Sequence, residues 1–169
     1  MTPENVFQQI LWLGDDWQVT QTSYQENERR LAIRVVDKPN LWWEEMCPHC
    51  ERPTVRGFDH APERRWRHLN VCQIQSEIVC ALPRGECVEC NRVYTVRPPW
   101  EGRSRGLTKE FEALVLALMR EMPAKRVGEI LGETDQKLWR ATFAQVAAAW
   151  ADADWQTLPG VPLSPRGGA

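Results

Sequence analysis

Apolar positions change their period along the chain, and each change predicts an element. Val6, Phe7, Ile10, Leu11 and Leu13 recur at helical spacing and stop at Gly14, which predicts a short amphipathic helix. Alternation follows. Trp17, Val19 and Gln21, then Leu31, Ile33 and Val35, flank the turn-forming run Glu26-Asn27-Glu28 and end before Pro39, which predicts an antiparallel hairpin. Further on, Ile74, Ser76, Ile78 and Cys80 place every second side chain on one face of a strand expected from Val71 to Ala81. With Arg64-Arg65-Trp66-Arg67-His68-Leu69 it forms an expected second, partly basic hairpin.

From Thr108 the period becomes 3.6. Phe111, Leu114, Val115, Leu118 and Met122 form one stripe, with Thr108 as N-cap and Pro123 closing the run. A short helix from Ala124 to Leu131 turns Val127, Ile130 and Leu131 inward and breaks at Gly132. Thr134 caps a third helix, whose buried side is expected to hold Leu138, Trp139, Phe143, Val146 and Trp150. Long helix, short helix, glycine turn and third helix make a helix-turn-helix order, the third helix being the one that enters a major groove. The tail, residues 158–169, is rich in Pro and Gly and reads as loose.

Two Cys-x-x-Cys knuckles, Cys47-Pro48-His49-Cys50 and Cys87-Val88-Glu89-Cys90, add chemistry to this pattern. Paired knuckles build a closed tetrahedral site, so Cys47, Cys50, Cys87 and Cys90 are the expected ligands of one structural zinc ion. Pro48 stiffens the first turn and Arg52-Pro53 leads the chain out of it. The 36 residues between Cys50 and Cys87 exceed the usual spacing of roughly 15–20 and require the inserted hairpin. Reduced structural thiols, two disulfides or a redox pair are the alternatives, the last lacking the βαβ unit that such motifs accompany. His49 is expected to face solvent, and Cys72 and Cys80 to be buried or half-buried thiols.

Composition then narrows the class. With 169 residues, 43% of them hydrophobic, and nine Trp, the chain supports packed cores rather than disorder. Trp42 and Trp43 are read as packing residues. No apolar run reaches membrane-spanning length and no amino-terminal signal pattern is present, so a cytoplasmic protein is expected. The net charge of −2 does not itself favour nucleic acid. Its distribution says more: residues 51–105 hold ten arginines against seven Asp and Glu, which suits either phosphate contacts or a solvated surface paired with local Glu. Arg64, Arg65 and Arg67, with Arg103 and Arg105 of the linker, are the expected phosphate contacts, while Gln136, Lys137 and Arg140 would supply sequence preference.

The order of parts resembles the amino-terminal region of insertion-sequence transposases of the ISL-three family. The resemblance is carried by the two knuckles, Asp59-His60, Arg64-Arg65-Trp66-Arg67-His68-Leu69, Val96-Arg97-Pro98-Pro99-Trp100, Leu107-Thr108-Lys109-Glu110-Phe111-Glu112-Ala113-Leu114, Arg126-Val127-Gly128-Glu129-Ile130-Leu131-Gly132 and Leu138-Trp139-Arg140. It implies a zinc ribbon and a helix-turn-helix that recognise the terminal inverted repeats of a mobile element. Family members continue into an RNase-H-like domain whose acidic triad holds two divalent ions. No carboxylate here carries over to that triad. Asp152 and Asp154 read as helix-end residues, and no strand transfer is expected of this chain alone, which is most simply a truncated or orphan transposase.

The expected architecture is therefore α+β: residues 1–46 a helix and β-hairpin, 47–100 a zinc ribbon with an inserted hairpin, 101–157 a three-helix helix-turn-helix domain, and 158–169 a tail. Expected partners are double-stranded DNA and a second copy of the chain or a full-length transposase, without a membrane. The rival classes are a protein-interaction scaffold built on the ribbon and an enzyme with reactive thiols.

Overall fold

The computed structural model describes residues 2–39, 46–52 and 55–153. Readings that fall on Trp42, Trp43, Pro53, Asp154 and the 158–169 tail lie outside these residues. Helix α1 (Pro3–Ile10) starts where the Thr2 hydroxyl accepts the Asn5 N–H at 3.5 Å and Pro3 occupies the first turn. Seven strands follow: β1 (Trp17–Gln25), β2 (Arg30–Asp37), β3 (Val55–His60), β4 (Arg64–Val71), β5 (Ile74–Cys80), β6 (Pro83–Cys87) and β7 (Val93–Thr95). Three helices come after them among the described residues: α2 (Lys109–Glu121), α3 (Ala124–Leu131) and α4 (Asp135–Asp152).

Class and arrangement part company here. The chain is α+β, but the expected separate hairpin, ribbon and helix-turn-helix domain are not what forms. β1–β2 and β4–β5 are both antiparallel hairpins, and they join through parallel pairing of β2 with β5 into one sheet of order β1-β2-β5-β4. β3, β6 and β7 make a second sheet. The apolar alternation explains the merger, because pairing Ile33 with Ile78, and Ile78 with Trp66, aligns three side chains of zero exposure across three strands. Trp17, Val35, Leu82 and Trp100 belong to the same core, with the Trp100 ring edge-on to Trp17 at 4.9 Å and to Trp66 at 5.9 Å. Gln8 latches α1 onto it, donating to the Trp17 carbonyl at 3.0 Å and accepting the Val19 N–H at 2.7 Å.

The helices cap as expected. Thr108 accepts the Phe111 N–H at 3.2 Å, and Thr134 accepts that of Lys137 at 3.4 Å. Gly132 ends α3 at φ 67°, and Gly128 lies so close beneath the turn that an added Cβ would sit 2.6 Å from the Glu133 carbonyl oxygen. Leu107, Phe111, Val115, Val127, Leu131, Leu138 and Ala141 form a second core. The three helices are nevertheless not a freestanding unit. The Arg67 N–H donates to Gly106 O at 2.9 Å and Thr108 N–H to Arg67 O at 3.0 Å, so β4 runs directly into the helical half. His68 Nδ1 lies 3.0 Å from Thr108 Oγ1 across the same seam, where burial holds the imidazole below its usual pKa.

Two local expectations fail. The strand expected through Cys72 is interrupted, because Cys72 and Gln73 take φ 49° and 64° and form the tip of the β4–β5 hairpin. Cys72 is therefore exposed, while Cys80 is buried. On α4 only Leu138 and Ala141 are buried, and Trp139, Phe143, Val146 and Trp150 face outward. Among the described residues no helix is long and apolar enough to cross a membrane.

Candidate metal centre and basic surface

The two knuckles have one geometry. In the first, Cys47 N–H donates to Arg52 O at 3.0 Å and Glu51 N–H to Cys47 O at 2.8 Å; in the second, Cys87 N–H donates to Arg92 O at 3.0 Å and Asn91 N–H to Cys87 O at 2.9 Å. Glu51 and Asn91, each following the second cysteine, take φ 56° and 53°. The left-handed residue folds the loop back, so that both sulfurs of a knuckle point the same way. β3 and β6 then place the loops side by side, since Val55 pairs with Cys87.

Four sulfurs meet as a result. Cys47 Sγ lies 3.7 Å from Cys90 Sγ, Cys50 Sγ lies 3.6 Å from Cys87 Sγ, and all four fall within 4.8 Å of one another. A tetrahedron of thiolates at about 2.3 Å from its centre has edges of about 3.8 Å, so the group can hold a metal ion. Burial pushes the Cys50 thiol up to about 12 and raises Cys90, with Cys47 and Cys87 adding to both shifts. A divalent ion reverses this preference by replacing protons. His49 stays outside the tetrad, exposed, with Nδ1 3.4 Å from an Arg92 guanidinium nitrogen.

The eight basic and polar residues expected at DNA divide into three groups. Arg64 stacks over the Trp66 ring at 4.7 Å and pairs with Glu101 at 2.7 Å, which anchors it to the linker. Arg65, Arg67 and Lys137 line a cleft of about 250 Å³ between the four-stranded sheet and the start of α4, together with Arg30, Gln75, Glu77 and Glu133. Each cation there has a carboxylate: Arg65 pairs with Glu77, and both Arg67 and Lys137 approach Glu133 at 2.9 Å.

Arg67 departs furthest from its expected role. It is 7% exposed, donates to the Leu131 and Ser76 carbonyls at 3.2 Å, and lies 4.6 Å from the Phe111 ring. A guanidinium so enclosed joins sheet to helices and cannot reach a phosphate.

Arg103, Arg105, Gln136 and Arg140 form the third group. All four are exposed, and the three arginines carry no ion pair with any described residue. Ser104 Oγ donates to the Arg140 carbonyl at 3.3 Å, which seats the Arg103-Ser104-Arg105 segment against the first turns of α4. Gln136 and Arg140, four residues apart on that helix, share a face.

Glu112 was not among the expected site residues, yet it organises this surface. Fully buried, its carboxylate accepts the Arg103 N–H at 2.9 Å, the Ser104 N–H at 2.5 Å and the Gln145 amide at 2.7 Å. The signal in the sequence is Gly102, where a Cβ would meet the Glu112 carboxyl carbon at 2.5 Å. Compared with protein families, curated proteins and solved structures, the chain matches none.

Proposed function

We propose that this chain is a DNA-binding protein stabilised by one structural zinc ion, bound by Cys47, Cys50, Cys87 and Cys90. Four soft thiolates in a closed tetrahedral set favour zinc over hard cations such as calcium or magnesium. The set leaves no position for water or substrate, so the ion supplies folding energy rather than chemistry.

The observation that carries DNA binding is the contrast among the arginines. Along the sheets they are neutralised by nearby carboxylates, whereas Arg103, Arg105 and Arg140 are exposed, lack such partners and are drawn together by the Ser104 contact. Unpaired guanidinium groups held on a fixed loop and helix face suit bidentate contacts to phosphate oxygens. Gln136, one turn before Arg140, has the amide that pairs with an adenine edge. The motif resemblance to ISL-three transposases supports the terminal inverted repeats of a mobile element as the preferred DNA.

Metal analysis of the purified chain, coupled to selection from random double-stranded DNA, tests both parts. The expected result is one zinc per chain. DNA affinity is expected to fall by about 2.7 log units per log unit of added salt, for three phosphates at about 0.9 each. Replacing Arg103, Arg105 and Arg140 together by Ala should flatten that slope while metal content is retained. Absence of binding at low salt, or an unchanged slope in the triple variant, would overturn the reading in favour of an interaction scaffold.

A further inference from the structure

Where the linker meets α2 and α4, a cleft of about 320 Å³ is lined by three exposed cations, Arg97, Arg103 and Lys109. Glu101 and Glu112 line it as well, and both are engaged within the fold. The Glu112 carboxylate accepts its three N–H donors, while one Glu101 oxygen accepts from Arg64 at 2.7 Å and from the Trp66 indole N–H at 3.3 Å, and the other lies 3.6 Å from Arg97. The cations are engaged far less. Among the described residues Arg103 has no ion pair, Lys109 Nζ approaches a single carboxylate, that of Glu110, at 3.9 Å, and Arg97 gives one of its five N–H groups to the Gly102 carbonyl at 3.3 Å.

Such a lining suits an anion, because its positive charge is the part left uncompensated. The three cations come from three places in the chain: Arg97 and Arg103 stand on either side of Gly102, and Lys109 begins α2. A planar carboxylate is filled by one guanidinium fork, whereas the tetrahedral oxygens of a phosphate group can accept from all three cations at once. The seat is also ready in advance, since Glu112 holds the Arg103 and Ser104 N–H groups and so fixes the loop that carries Arg103. We infer that this cleft seats one phosphate group, with Arg97 and Lys109 as contacts in addition to Arg103. That the phosphate is supplied by a DNA backbone rests on the reading above; the chemistry of the cleft does not.

The test compares the affinity of the full metal-loaded chain for double-stranded DNA with that of Arg97→Ala/Lys109→Gln at one low salt concentration. The double variant should bind at least about tenfold more weakly, the weight of one charge-assisted hydrogen bond, and by the same factor on every sequence, because a phosphate contact reads no base. Arg97→Lys/Lys109→Arg keeps both charges and should recover most of the loss, which a role limited to loop packing would not give. Circular dichroism and metal content establish that each variant folds, and if the first does not, Lys109→Gln alone is judged by the same criterion. Equal affinity in parent and folded variant, or no recovery when the charges are kept, would overturn the inference while the DNA-binding reading stands. If the parent binds no DNA, that reading falls and inorganic phosphate decides the cleft by itself. Saturable amide shifts at Gly102 and Arg103 that the variant lacks would then uphold the seat, and their absence would overturn it.

Discussion

Arg64, Arg65 and Arg67 stand almost consecutively in one strand and meet three different fates. Arg64 covers an indole ring, Arg65 lies on the sheet surface against Glu77, and Arg67 is enclosed between sheet and helices. Strand alternation puts Arg65 and Arg67 on the same side, and only the latter is roofed by the α3–α4 turn. Removing one partner of a buried pair leaves the other charge poorly compensated, which costs about 3–5 kcal/mol; Lys137 also reaches Glu133, so the lower figure applies. Arg67→Met should therefore lower unfolding free energy by about 3 kcal/mol in a urea titration, with Arg67→Met/Glu133→Gln recovering part of it. A loss below about 0.5 kcal/mol, the usual surface range, would show that Arg67 is not the link between the two halves.

At the scale of elements, the linker before α2 shows how a helix can set the shape of a loop it does not belong to. Glu112 offers two acceptor oxygens to three donors, two of them backbone N–H groups of Arg103 and Ser104. In Glu112→Gln, either orientation of the amide turns an N–H₂ group toward an N–H donor. A loss of about 1–3 kcal/mol in the same titration is expected, together with weaker DNA binding although every arginine is intact. Unchanged stability and affinity would mean that the loop holds its shape without the carboxylate.

The sequence reads these elements unevenly, for identifiable reasons. Thr108, Thr134 and Gly132 mark helix ends through local hydrogen bonding and backbone preference, and each stands where the sequence places it. The four thiols that meet were likewise evident, since knuckle spacing is local and its geometry rigid. The Cys72-Gln73 turn was hidden because neither residue carries the Asn or Gly signal of a two-residue hairpin. The buried face of α4 was misread because apolar residues lie all round that helix, so periodicity could not choose between two stripes. Parallel pairing of β2 with β5 joins strands distant in sequence, a relation that no local pattern encodes.

For the molecule as a whole, the structure has two apolar cores and a four-cysteine site that belongs to neither. Sheet β1-β2-β5-β4 and the helices each have buried Trp, Phe, Ile, Leu or Val side chains. The β3-β6-β7 sheet does not: β3 and β7 contain no buried residue, and β6 buries only Pro83, Gly85 and Cys87. Its cross-strand pairs, Arg56 with Glu86 and Asp59 with Arg84, lie at the surface, where solvent screening leaves them little weight. The proposed zinc ion, at about 10 kcal/mol or more for a structural site, would then dominate this sheet. Chelation should accordingly release hydrogen-exchange protection in β3, β6 and β7 while the helical core keeps its own. Thiol titration should rise from one fast-reacting group, Cys72, to five as Cys47, Cys50, Cys87 and Cys90 join it, with Cys80 still masked in the first core. Cys90→Ser should behave like the chelated protein without any chelator. If α2 and α4 lost protection together with β3, the metal centre would instead be holding the whole fold, and the independence of the two cores would be refuted.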